Sequence, residues 1–162
     1  MLKIIRSTGE LNMNQLLTVY AESIVKAGMV LHPNLSEWEQ LRICEDEFRE
    51  DVFSFMRMDN TCIAVWLEGE MYVSALRLEP YADGALLTCL ETAPHFRGVG
   101  KATALVSAVL ENCDGVLYSH VHKNNGKSLA LHMRTGFKII SDNGKLLDGT
   151  VSNRYYTLRY GF

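Results

Sequence analysis

The segment Leu86-Leu87-Thr88-Cys89-Leu90-Glu91-Thr92-Ala93-Pro94-His95-Phe96-Arg97-Gly98-Val99-Gly100-Lys101-Ala102 narrows the possible folds more than any other. It reads as a strand, a proline break, an Arg-Gly-x-Gly turn and the start of a helix. Glycines at a helix N-terminus let backbone N–H groups approach a ligand closely, and the helix dipole there favours negative charge. Arg97 and Lys101 add positive charge. The turn therefore suits a phosphorylated ligand. A nucleoside-triphosphate loop needs G-x-x-x-x-G-K-[ST], but His95 stands at the first glycine and Ala102 at the hydroxyl residue. A dinucleotide fingerprint fits Gly98 and Gly100 but meets Thr103 where a third Gly or Ala belongs. The preceding strand also lies in a meander rather than opening a βαβ unit.

Periodicity organises the rest. Met1 to Ser7 reads as a strand. A helix follows from Asn12 to Ala27, with Asn12 and Gln15 as a capping box and Leu16, Tyr20, Ile24 and Ala27 at helical spacing. His32-Pro33-Asn34 breaks the chain. A second capping box, Ser36 to Glu39, opens a helix whose apolar stripe is Trp38, Leu41, Cys44, Phe48, Val52 and Phe55. Acidic residues from Glu37 to Asp51 occupy much of its other face. Strands are expected at Thr61–Leu67, Met71–Glu79 and Ala85–Thr92, joined by tight turns into an antiparallel meander. Next come a helix at Lys101–Asn112, a strand at Val116–Val121, a helix at Ser128–Thr135 closed by Gly136, and strands at Phe137–Ile140 and Asn153–Tyr160. The class is α+β: a mixed central sheet, antiparallel then parallel, with helices on both faces, built as one domain over residues 1–162.

With 48% apolar and 22% charged residues, the chain can build a sizeable core. No stretch approaches the roughly 18 apolar residues of a membrane helix. The N-terminus lacks the apolar run of a signal peptide, so a cytoplasmic protein is expected. The net charge of −3 argues against a nucleic-acid partner. Cys44, Cys62, Cys89 and Cys113 are widely spaced in apolar segments, which suits buried small hydrophobes rather than disulfides or zinc ligands. His120 and His122 share a strand face with Tyr118, but no carboxylate or cysteine stands beside them in sequence, and no metal is expected. They are read as lining the substrate side or packing against a helix. Trp66, Tyr72, Arg77 and Tyr81 are further candidates to shape an acceptor pocket.

Two motifs together resemble the GNAT superfamily of N-acetyltransferases. Its signature [RQ]-x-x-G-x-[GA] is met by Arg97, Gly100 and Ala102, after Thr92-Ala93-Pro94 at the strand end. Downstream, Asn125, Ser128, Gly136 and Phe137 keep the family's spacing, and His132 stands where tyrosine is usual. The resemblance implies an acyl-CoA N-acyltransferase fold and acetyl-CoA as acyl donor. Backbone groups of Arg97, Gly98, Val99, Gly100, Lys101 and Ala102 would hold the pyrophosphate. Leu90, Thr92 and Ala93 would run beside the pantetheine arm, with Asn125 and Ser128 on its far side. A bulge would splay this strand from the next parallel one. It further implies direct attack by an amine in a ternary complex, with Glu91 as base, an oxyanion donor at the Leu90 or Glu91 N–H, and His132 on the leaving thiolate. The acceptor would be a small-molecule or peptide amine, with no membrane or nucleic-acid partner. The acidic Glu37–Asp51 helix leans toward a cationic small molecule. A homodimer contact through a final strand reaching Phe162 is one option. A catalytically weak acyl-CoA sensor is the alternative function that His132 keeps open.

Overall fold

The computed structural model describes residues 1–161, so Phe162 lies outside the described residues. Seven strands form the main sheet among them: β1 (Leu2–Ile5), β2 (Cys62–Glu68), β3 (Met71–Tyr81), β4 (Gly84–Thr92), β5 (Leu117–His122), β6 (Lys138–Ser141) and β9 (Tyr155–Tyr160). Their order is β1-β2-β3-β4-β5-β9-β6. Only β4 and β5 run parallel; each of the other neighbouring pairs is antiparallel. The remaining strands, β7 (Gly144–Lys145) and β8 (Val151–Ser152), pair as a separate hairpin.

Four helices cover the sheet: α1 (Met13–Leu31), α2 (Glu37–Met56), α3 (Lys101–Glu111) and α4 (Gly126–Arg134). The α1 and α2 side packs Leu16, Val19, Ile24, Val52 and Phe55 against Ile5, Ile63, Val65 and Ala75. The α3 and α4 side packs Leu105, Val109 and Leu131 against Ala64, Leu76, Leu87, Leu117 and Leu158. Strand β2 serves both cores. Its run Cys62-Ile63-Ala64-Val65 is buried throughout, as a strand covered on two faces must be.

Several details depart from the sequence expectation. Helix α1 runs on to Leu31, because nothing stops it before His32-Pro33. Trp38 and Leu41, expected in the buried stripe of α2, are 68% and 38% exposed. The first turns of α2 lie beyond the core, and Trp38 instead packs under the Arg42 guanidinium. The β7–β8 hairpin has no counterpart in the periodicity. Cys89, expected in the core, is exposed, for a reason given below. Among the described residues all four cysteines are free, and no helix is long and apolar enough to cross a membrane.

The α2 capping box forms as its sequence dictates. Ser36 Oγ accepts from the Glu39 N–H, while the Glu39 carboxylate accepts from the Ser36 N–H at 3.0 Å. Replacing Ser36 with Ala should cost about 1 kcal/mol, read as a lower denaturant midpoint at unchanged slope. No loss would mean that packing alone fixes the start of α2.

Candidate active site

The site begins where β4 and β5 part. They pair only over Ala85–Leu87 and Leu117–Ser119. At the start of β4, a Cβ on Gly84 would lie 2.0 Å from the Val116 carbonyl oxygen, so only glycine lets the two chains come this close. Beyond Leu87 the parallel ladder stops. In the β3–β4 ladder, the register slips between Ala75 and Arg77, so Cys89 and Leu90 together face Leu76. Cys89 takes φ +52°, the left-handed conformation of a bulge residue. That turn carries its side chain out of the core.

The bulge is held on three sides. Tyr20 of α1 donates to the Cys89 carbonyl at 2.6 Å. Ser74 of β3 donates to the Glu91 carbonyl at 2.7 Å and lies 3.0 Å from Thr92 Oγ1. The Ala93 N–H donates to the Val73 carbonyl at 2.9 Å. By alternation, the Glu91 N–H also faces β3, while those of Leu90 and Thr92 face the opening toward β5. Of the two, Leu90 rather than Glu91 therefore turns its N–H toward the opening.

After a short turn at Pro94–Phe96 the chain reaches the glycines. Gly98 and Gly100 take φ +76° and +81°, and Gly100 is the left-handed N-cap of α3. No side chain caps this helix. Its ladder starts with Ala104 N–H to the Gly100 carbonyl, so the first N–H groups have no intrahelical partner and point out of the helix end. The Gly98–Ala102 backbone thus forms an open cradle of N–H groups without intrahelical partners.

The side chains there are placed differently from the expectation. Arg97 turns away from the glycines. Its Nε donates to the Thr92 carbonyl at 2.9 Å, and its Nη groups pair with Glu91 at 2.9 Å and with Glu22 of α1. Lys101 pairs with Glu68 at the end of β2. Both cations are thus engaged with carboxylates rather than held free over the turn. Glu91 sits with its side chain 25% exposed. Burial pushes its carboxyl above the usual carboxylate range, against the opposing pull of Arg97. Glu22 moves the other way, held down by the Arg97 hydrogen bond.

Helix α4 supplies the second group. Asn125 is its N-cap, accepting from the Ser128 N–H at 3.1 Å. One turn on, His132 is 1% exposed and packs edge-on to Phe137. Its Nδ1 lies 2.8 Å from the Ser128 carbonyl, which can only accept, so Nδ1 carries the hydrogen. Nε2 is then a bare lone pair, buried and without a partner among the described residues. Burial lowers the pKa of the ring. This environment disfavours the imidazolium donor considered from the sequence. Leu129 and Leu131 of α4 share an apolar cluster with Leu90 and Ala102, which places α4 in the same half of the molecule as the cradle.

Other sequence candidates prove structural. Tyr72 ties the start of α1 to β3, accepting from the Asn12 N–H while its own N–H donates to Gln15. Arg77 is buried between Phe48, Phe55 and an ion pair to Asp51 at 2.6 Å. Trp66 packs on the α3-side core. Tyr81 packs edge-on to Tyr118 and His120, and it donates to the Lys145 carbonyl. Thr157 Oγ1 joins His120 Nδ1 to the Asn143 carbonyl, and Gly144 sits against His120 and Tyr155. The β7–β8 segment therefore lies across the Tyr118–His120 face. Helical spacing places Tyr20 in the core and marks nothing at Glu22 or Ser74, because spacing shows which way a residue faces, not which distant group it meets.

The Acetyltransferase (GNAT) family matches this chain over residues 28–137. No curated protein sequence matches it significantly. Among solved structures, the PaiA N-acetyltransferase of Thermoplasma acidophilum in complex with coenzyme A is similar at 13% identity, TM-score 0.67, covering 100% of this chain and 99% of that one. Escherichia coli ElaA is similar at 11% identity, TM-score 0.62, covering 99% of each chain. The ribosomal-protein-alanine N-acetyltransferase of Brucella melitensis is similar at 17% identity, TM-score 0.57, again covering 99% of each. At these identities the likeness is one of fold.

Proposed function

The chain belongs to the acetyltransferase (GNAT) family and is an acyltransferase, and from that premise we propose that it is a single catalytic domain moving an acetyl group from acetyl-CoA to an amine by direct attack. The observation that carries this reading is the continuity of the site. The opening between β4 and β5 leads along Leu90, Thr92 and Ala93 to an uncapped helix end at Gly98–Ala102. That end offers backbone N–H groups to a pyrophosphate, and the opening offers a strand edge to the pantetheine arm. Asn125 and Ser128, at the start of α4, would line its far side. A coenzyme A complex of the Thermoplasma protein, which shares the fold, supports the choice of donor.

The chemistry follows from the groups present. An alkyl amine with a pKa near about 10.4 is mostly protonated at neutral pH and must lose a proton before it attacks. Glu91 is the base: its raised pKa brings proton uptake closer to neutrality, and the Arg97 hydrogen bond fixes its carboxylate. The nitrogen bonds to the thioester carbon, the Leu90 N–H stabilises the oxyanion, and the C–S bond breaks. The nitrogen loses its second proton as the C–S bond breaks, and that proton passes through water to the leaving thiolate. His132, kept neutral by burial, serves the leaving side only as an acceptor, its bare Nε2 taking a hydrogen bond from the thiol or from that water.

Calorimetric titration with acetyl-CoA, followed by a screen of polyamine and peptide amines for acetyl-CoA consumption, tests the reading. Saturation at one site per chain with turnover is expected. Binding without turnover would favour a sensor, and absence of binding would overturn the assignment.

A further inference from the structure

The end of α1 and the first half of α2 bring together three groups that the acyl-transfer site does not use. His32 is the C-cap of α1; Cys44 and Glu47 lie one turn apart on α2. One ligand atom from each, the His32 ring nitrogen, the Cys44 sulfur and a Glu47 oxygen, falls within 4.8 Å of the other two. The His32 Nε2 is 3.6 Å from Glu47 Oε1, too far for a hydrogen bond, and this buried nitrogen has no hydrogen-bond partner among the described residues. The Cys44 side is closed, since that residue is 4% exposed. The Glu47 side is open, with the side chain 55% exposed.

We propose that His32, Cys44 and Glu47 form a zinc-binding site that clasps the end of α1 to α2. The donor set is one imidazole nitrogen, one thiolate and one carboxylate, the types that Zn2+ takes at about 2.0–2.3 Å, with water in the fourth position. A tetrahedron of that size needs ligand atoms about 3.5 Å apart, so the three must close by about an ångström. The exposed Glu47 side chain has the freedom to do so, and its open side gives the ion a way in. The backbone of His32 is already fixed, with its N–H donating to the Gly28 carbonyl and its own carbonyl accepting from Gln40 Nε2. Binding releases the Cys44 thiol proton to solvent and leaves a thiolate on the metal. The cysteine spacing shows no zinc motif because the ligands come from two helix segments separated by a turn. The clasp is remote in sequence from Glu91 and acts on α1, the helix that carries Tyr20 and Glu22.

Cobalt(II) reports such a site directly, since thiolate coordination gives a near-ultraviolet charge-transfer band that zinc abolishes on displacement. Titration of the full chain should saturate at one cobalt per chain, and zinc should raise the thermal midpoint. C44A should lose the band and C89A should keep it, which separates the clasp from the exposed cysteine. E47Q, on an exposed side chain that leaves the core intact, should weaken cobalt binding by at least about tenfold. No band at one equivalent, a band that survives C44A, or cobalt affinity unchanged in E47Q would each overturn the proposal.

Discussion

Glu91→Gln should lower kcat by roughly 10²–10⁴-fold while leaving acetyl-CoA affinity near the wild-type value. Glutamine keeps a carbonyl oxygen for Arg97 Nη2, so the bulge and the Glu22–Arg97 pair survive and the change is confined to proton uptake. The pH profile supplies a second readout. The base works as the carboxylate, so wild-type activity falls as pH drops through the Glu91 pKa. Burial raises that pKa, which moves the acid limb upward toward neutrality. The variant should lose this limb. A loss of activity smaller than about threefold, with the limb retained, would remove Glu91 from the chemistry.

Gly100→Val should have the second large effect, on binding rather than on turnover. Valine at φ +81° is strained by about 1–2 kcal/mol, and relief of that strain rotates the very N–H groups that form the cradle. A Cβ there meets nothing within 4 Å, so the fold has no steric reason to fail. Acetyl-CoA affinity measured by calorimetry should fall by at least about tenfold, a cost of about 1.4 kcal/mol. Gly69→Val is the matched control. That glycine takes φ +59° in the β2–β3 turn, also with nothing within 4 Å of a Cβ, and it lies outside the cradle. It should carry the strain without the loss of affinity. Equal affinity in both variants would place the donor elsewhere.

What the sequence discloses here is what repeats along it. The meander, the helix that follows the glycines and the parallel strand after it are legible because each has a period and a terminating residue. Two-residue strands have no period, so β7 and β8 are silent. Cys89 misleads for a related reason: strict alternation puts it with Leu87 in the core, and one inserted bulge residue turns it outward. The backbone half of the candidate site follows from Arg97, Gly98 and Gly100 because backbone conformation is a local property. The side-chain half does not. Arg97 meets a carboxylate 75 positions away on α1, and Lys101 meets one 33 positions away on β2. Charge composition counts such cations as available to a phosphate, whereas the folded chain has already matched them.

The close contact at Gly84 pins the two parallel strands where they begin, and the pairing that ends at Leu87 marks where they part. Beyond it β4 is held separately by β3 and α1, so the hinge of the cleft and its far wall are anchored by different neighbours. The mouth of the cleft is thus fixed by a position outside it. Any side chain at Gly84 would have to push the Val116 backbone away, so a change there would cost stability at the same time as it moved the two strands apart.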